Sequence, residues 1–248
     1  MKDGLWDVYN DVHMGNCAER CAEKYGFSRE DQDEFAIESY KRALKAAENG
    51  WTKEEITPVE ISTRKGSVIV DADEGLVGVD FEKMRTLRTV FKPDGTITAA
   101  NASSLNDGAC ALLLMRAEKA QSLGLAPLAT ISDYGTVGTA PEWFTTAPDA
   151  GIKALLKKSD TLLDDIDLFE VNEAFAVVNL FAEKEGKLPR SKVNIHGGAI
   201  ALGHPIGASG ARILTTLIYA LRQHKKTLGL ASICIGGGEA ASMIIKAL

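Results

Sequence analysis

Three stretches of the chain join an apolar, strand-like run to polar residues that a sheet core would not want. In Phe169-Glu170-Val171-Asn172-Glu173-Ala174-Phe175, Asn172 and Glu173 follow one apolar run and open another. Asn is also a favoured helix N-cap and an acid suits a first helical turn, so a structural role stands beside a chemical one. The second stretch, residues 194–212 (NIHGGAIALGHPIGASGAR), is dense in glycine and runs directly into a helix. Glycine lets backbone approach a ligand closely, and a helix entry of this kind exposes N–H donors suited to an anion. It lacks the GxxxxGK[ST] spacing, so a nucleotide-binding P-loop is not supported. His204, between Gly203 and Pro205, has a flexible and a rigid neighbour to fix its imidazole for proton transfer, or for a purely structural hydrogen bond. His196 reads as structural. The third stretch is Ser232–Ser242 (SICIGGGEAAS), where Cys234 precedes Gly236-Gly237-Gly238. Such a cysteine is either a small buried hydrophobe or an activated sulfur beside free N–H groups of an oxyanion site. Asn172, His204 and Cys234 each end a predicted strand of one sheet, the edge where open α/β folds bind ligands.

The elements that must position these groups follow from periodicity. Apolar runs at 109–115, 128–132, 167–171, 193–195, 230–235 and 241–245 read as strands, the first (ACALLLM) as a buried one. Helical stretches lie near 118–123, 149–158, 173–185 and 209–224, the last carrying Ile213, Leu214, Leu217, Ile218 and Leu221 as one stripe. The final two strands, separated by three glycines, predict a hairpin. Before residue 96 the clearest element is a helix over 28–49, opened by a Ser28/Asp31 capping box and stopped by Gly50. Residues 51–98 read as short strands and surface loops, closed by a turn at Pro93-Asp94-Gly95. Alternating strands and helices predict an α/β layered architecture with covered sheet faces.

Composition narrows the function. The 248 residues are 45% hydrophobic and 25% charged, which excludes disorder, fibres and disulfide-dense scaffolds. A net charge of -6 argues against nucleic acid as a partner. No apolar run reaches the roughly 18 residues of a membrane helix, so no membrane partner is expected. Cys17, Cys21, Cys110 and Cys234 form no repeated CxxC pair, which argues for reduced thiols rather than a zinc site. The N-terminal stretch has neither an apolar signal core nor an Arg/Ser-rich amphipathic pattern, so any targeting segment is expected to be absent from this chain.

Asn172–Phe175 (NEAF), Gly197–Arg212 (GGAIALGHPIGASGAR) and Cys234–Gly238 (CIGGG) resemble the three C-terminal signatures of the thiolase family. Ala99–Ser103 with Asn106–Ala109 resembles its coenzyme A segment, and His13-Met14-Gly15 with the Tyr40 helix resembles the start of its loop domain. The similarity runs through the whole chain and is nearest to the mitochondrial short-chain acetyl-CoA acetyltransferase type.

The resemblance implies a layered αβα thiolase-like fold: a coenzyme A-binding loop domain (1–95), a closing strand–helix piece of the N-terminal core domain (96–126), and a C-terminal core domain (127–248). It implies that the N-terminal core domain, with the acyl-accepting cysteine, is largely missing; Cys17, Cys21 and Cys110 do not sit in the family's nucleophile motif. The implied reaction is reversible condensation of two acetyl-CoA, or thiolysis of short 3-ketoacyl-CoA. His204 would activate the nucleophile and hold the thioester oxygen, Cys234 would move the α-proton, Asn172 would position a water, and the Gly236 N–H would complete a second oxyanion site. Coenzyme A would meet Tyr40, Val79, Asp80, Lys83, Ser103, His13 and Met14, with no tightly bound cofactor. Potassium would be held at Tyr40, Ala99, Ala100, Ala102 and Ile200. Trp143–Thr145 would wall the acyl pocket. A homo-oligomer (dimer or tetramer), a role in lipid and ketone body metabolism, and a mitochondrial or cytoplasmic setting are further implications. Three rivals stand: an inactive coenzyme A-binding or subunit-pairing fragment, a longer-chain degradative thiolase, and a cysteine hydrolase built on Cys234, His204 and Asn172.

Overall fold

The computed structural model describes residues 2–64 and 66–248. Its elements in chain order are β1 (Trp6–Asp7), β2 (Val12–His13), α1 (Met14–Tyr25), α2 (Arg29–Glu48), β3 (Val59–Thr63), β4 (Gly66–Val70), α3 (Phe81–Thr86), α4 (Ala117–Ser122), β5 (Ala129–Gly138), α5 (Ala147–Ser159), β6 (Leu168–Val171), α6 (Ala176–Lys184), α7 (Ala199–Leu202), α8 (Ser209–Gln223), β7 (Leu228–Ile235) and β8 (Glu239–Ala247). Helix α2 begins as its sequence requires. The Ser28 hydroxyl takes the Asp31 N–H at 3.0 Å while the Asp31 carboxylate takes the Ser28 N–H at 2.8 Å.

Four strands form one mixed sheet in the order β5-β8-β7-β6. β6 and β7 run parallel, with Val171 opposite Ser232, and β7 turns back antiparallel into β8 as the three glycines predicted. Alternation along β6 divides its side chains between two cores. Phe169 and Val171 join Leu230, Ile244 and helices α5 and α6, whereas Leu168 joins Ala231 and Ile245 under Ile213, Leu217 and Leu221 of α8. The result is an αβα sandwich, with the α8 stripe seated as its 3.6-residue period demanded.

Two predicted strands do not form. Residues 109–115 are extended and pair with nothing among the described residues, leaving Leu113 82% and Leu114 64% exposed. An extended backbone becomes a strand only when a neighbour takes its N–H and C=O groups, and among the described residues no strand lies beside this one. Residues 193–195 contribute one parallel bridge, Val193 to Phe169. There Asn194, at φ 46°, turns the chain away. The helix at 118–123 appears as α4, closed by Gly124 at φ +67°. Among the described residues no helix is long and apolar enough to cross a membrane.

Candidate active site

Asn172 leaves the end of β6, its N–H held by Ser232 O at 3.0 Å. His204 does not end a strand; it sits in the bend between α7 and α8. Gly203 takes φ +91° there, a backbone conformation costly for residues with a Cβ. His204 N–H reaches across to Ser104 O at 3.0 Å, so the 103–108 segment pins the bend from above.

The two side chains meet: Asn172 Nδ2 lies 3.3 Å from His204 Nε2. The other ring nitrogen, Nδ1, is 2.6 Å from Ser209 Oγ, which itself donates to Pro205 O at 3.0 Å. The serine has one proton and spends it on Pro205, so it must accept from the ring. His204 therefore carries its proton on Nδ1 and presents a bare Nε2 to the Asn172 amide. Burial, reinforced by the Arg212 charge, pushes the imidazolium pKa down to about 4, so the ring is neutral at pH 7. Asn172 Oδ1 is buried and has no protein partner, an acceptor waiting for a donor such as water.

Cys234 lies one residue before the end of β7, two beyond Ser232, and makes no hydrogen bond through its sulfur to Asn172 or His204. Cys234 packs against the core beneath α5 and α6. Cys234 is only half-buried by surface area, yet the dense surrounding atoms push its thiol up to about 12. It is a protonated thiol, not a resting thiolate. Gly236, in the turn beyond it, has Met14 as neighbour: a Cβ there would stand 3.0 Å from Met14 Cε. Thr139 clamps the same turn, donating N–H and hydroxyl to Gly238 O at 2.7 and 2.8 Å.

Several coenzyme A candidates gather elsewhere. Tyr40, Val79, Asp80, Lys83, Ala99 and Ala100 line one open cavity of about 440 Å³, with Met84 and Leu87 as its apolar floor. Asp80 spends its carboxylate capping α3, accepting the Lys83 N–H at 3.0 Å. Ser103, His13 and Met14 do not line it. Ser103 donates both N–H and hydroxyl to Ala174 O. His13 caps α1 by accepting the Gly15 N–H at 2.9 Å and stacks on Phe91. Of the potassium candidates, Tyr40, Ala100 and Ile200 share an apolar cluster beside this cavity, whereas Ala102 pairs with Phe175. Glu173 stands within that group, accepting from Ser39 Oγ, Asn194 Nδ2 and the Ile200 N–H. Ala99 lines the cavity with Tyr40 and Ala100. His196, read as structural from the sequence, has its Nε2 3.0 Å from His224 Nε2 and its ring stacked on Trp51.

Sequence reasoning missed Ser209, Ser104, and the Glu170–Arg212 pair. Ser209 lies five residues after His204 at the start of a helix, a spacing that could have suggested it.

Comparison with known proteins defines the class. The thiolase N-terminal domain profile matches residues 1–118 and the thiolase C-terminal domain profile matches residues 125–247. The chain belongs to the thiolase family. The N-terminal match overturns the expectation that the N-terminal core domain is largely missing. Among relatives, the acetyl-CoA acetyltransferase of Yarrowia lipolytica is 50% identical over 246 residues, covering 99% of this chain and 62% of that protein. The crystal structure of the Bacillus anthracis acetyl-CoA acetyltransferase superposes with TM-score 0.95 at 43% identity, covering 98% of this chain and 62% of that one. The Acat5 thiolase of Ascaris suum in complex with coenzyme A gives 0.90 at 43%, covering 100% and 63%. The chain spans about 62% of the length of the curated relatives it matches.

Proposed function

We propose that this chain acts on short acyl-CoA thioesters as a thiolase-type acyltransferase, with acetyl-CoA and acetoacetyl-CoA as the favoured pair. The observation that carries this reading is the Asn172–His204–Ser209 relay, which yields a neutral imidazole with a defined tautomer beside an unsatisfied amide oxygen. Removing a proton from the α-carbon of a thioester needs its oxygen stabilised as the enolate forms. A water donating one O–H to Asn172 Oδ1 would turn its other O–H to that oxygen, while the bare His204 Nε2, an acceptor only, stays available to take a proton. Cys234 exchanges the α-proton: its protonated thiol gives a proton to the carbanion in one direction and takes it back in the other. Gly236 supplies a backbone N–H to the second oxyanion. The cavity at Tyr40, Val79, Asp80 and Lys83 receives coenzyme A, the lysine as a point charge for phosphate. A potassium ion held by carbonyl oxygens of Tyr40, Ala99, Ala100 and Ile200 would supply fixed positive charge beside that cavity. The exposed leucines of 105–114 support assembly of copies into a homo-oligomer.

A second reading has its own observation. Burial pushes Cys17 and Cys21 up to about 11, which denies both the thiolate an acyl acceptor needs. That favours a chain that binds coenzyme A without transferring acyl groups. Deuterium exchange into the methyl group of acetyl-CoA in D2O, followed by mass spectrometry, separates the two. The thiolase reading expects exchange that falls at least a hundredfold in Cys234→Ala, a typical loss for a proton-transfer group. Coenzyme A binding without exchange in the unmodified chain would leave the binding reading alone.

A further inference from the structure

Arg212 sits in the first turn of α8, three residues beyond Ser209, and its side chain is mostly buried. Its Nη1 lies 3.7 Å from Glu170 Oε2, and neither atom has a hydrogen-bond partner. Glu170 lies within β6 and Asn172 directly follows its last residue. Two contacts therefore cross from β6 to the same unit: Asn172 to His204, and Glu170 to Arg212. Ser209 closes the square, because it holds His204 Nδ1 and belongs to the same helical turn as Arg212. Other acids face this guanidinium from separate elements. Glu55, after the turn at Trp51–Glu54, bonds the Thr216 hydroxyl one turn along α8 from Arg212, and both it and Asp73 feel the Arg212 charge. Glu173 feels it from the end of β6. Asp73 directly precedes the turn bearing Gly75, where a Cβ would come within 2.7 Å of Ala201 O in α7. One guanidinium thus faces acids from β6, from the loop beside the coenzyme cavity, and from the segment over α8.

Burying a charge this deeply is costly unless the surrounding groups answer it. An apolar side chain would fill the same space at lower cost if packing were its only task. We propose that Arg212 is a positioning residue whose pairing with Glu170 fixes α8 against β6, so that Asn172 meets His204 in the single tautomer with Nδ1–H toward Ser209 and Nε2 bare. This rests on reading His204 and Asn172 as the reacting pair, but its test needs no turnover. The protonation state of each ring nitrogen can be read directly by ¹⁵N NMR of the histidine-labelled chain, with His204→Asn assigning the signal.

The native chain should show one His204 tautomer, bare at Nε2, that stays neutral through pH 5. In Arg212→Met, loss of the rung and of the nearby positive charge should give mixed tautomers and raise the midpoint by about one pH unit. Arg212→Lys keeps the charge without the reach, and should hold the midpoint near native while still mixing tautomers. Glu170→Leu removes the carboxyl from the pair at similar size and covers the case in which Arg212→Met does not fold; it too should mix the tautomers. A pure Nδ1–H tautomer with an unmoved midpoint, in whichever of these variants fold, would overturn the proposal. That outcome would leave the thiolase reading to its own exchange assay.

Discussion

Two apolar runs, Ala109–Met115 and Leu230–Ile235, look alike as sequence and meet opposite fates. Each is about the length of a strand, rich in aliphatic side chains, and holds one cysteine. The second becomes the heart of β7, paired on both edges by β6 and β8 and covered on both faces by helices. The first stays extended and bare, with Leu113 and Leu114 in solvent. Hydrophobicity and run length therefore state that a segment can be a buried strand. Whether it is one depends on partners supplied by other parts of the chain.

The cysteines give the largest expected contrast. Cys234 is held as a thiol at about 12, so at pH 8 roughly one molecule in ten thousand carries the reactive thiolate. Cys110 lies on the bare run, half-buried beside the Thr215 hydroxyl at 3.2 Å. Iodoacetamide at pH 8, followed by peptide mass spectrometry, should label Cys110 with Cys234 left intact at least a hundredfold longer. Equal labelling of the two would break the comparison, and would also show Cys234 to be an activated sulfur at rest.

Core deletion tests the same contrast by stability. Leu217 is fully buried between α8 and the sheet, so Leu217→Ala should cost about 2–5 kcal/mol in urea unfolding. The same change at Leu113 should lie within about 0.5 kcal/mol of native.

What the sequence disclosed follows from the same distinction between local and distant causes. The α2 capping box, the α8 stripe and the β7–β8 turn are written within a few residues of where they act, and all are present. So is the Asn172–His204 meeting, because each residue stands in a family signature. The αβα layering followed from alternation of strands and helices. The bare fate of 109–115 was not legible, since it depends on which neighbours are present. The Glu170–Arg212 pair was hidden for a related reason: a charged residue inside LFEV looks like an exposed strand position until a helix 42 residues later covers it. Ser209 was passed over as part of a small-residue helix entry.

Glu170 offers a subtler test of the covered region. Burial pushes its carboxyl from 4.5 up to about 8, so the folded chain keeps a proton that the unfolded chain releases above about 4.5. Its contribution to stability is complete at low pH, declines as pH rises from 4.5, and is exhausted by about 8. His196 and His204, held down to about 4, act in the opposite sense, because the unfolded chain binds their protons up to about 6.5. Of these three groups only Glu170 should still lower stability between pH 6.5 and 8, by at most about 1.4 kcal/mol per unit. Glu170→Gln should flatten that decline in urea midpoints. A decline as steep as native would mean that Glu170 is already ionised in the folded chain.

The smallest effect on folding should carry the largest information about the bare run. Leu113→Lys and Leu114→Glu place opposite charges on side chains that touch little, so the urea midpoint should stay within about 0.5 kcal/mol of native. Association is another matter. An extended backbone with unpaired N–H and C=O groups and apolar side chains in water is a template for pairing with another chain. Native chain should therefore sediment as an oligomer at concentrations where the doubly charged variant sediments closer to a monomer. Unchanged sedimentation would mean that copies meet through another surface, such as the outer edge of β5, where Ile131 and Tyr134 are also exposed. The two apolar runs would then differ only in cover, and the bare one would have no binding role of its own.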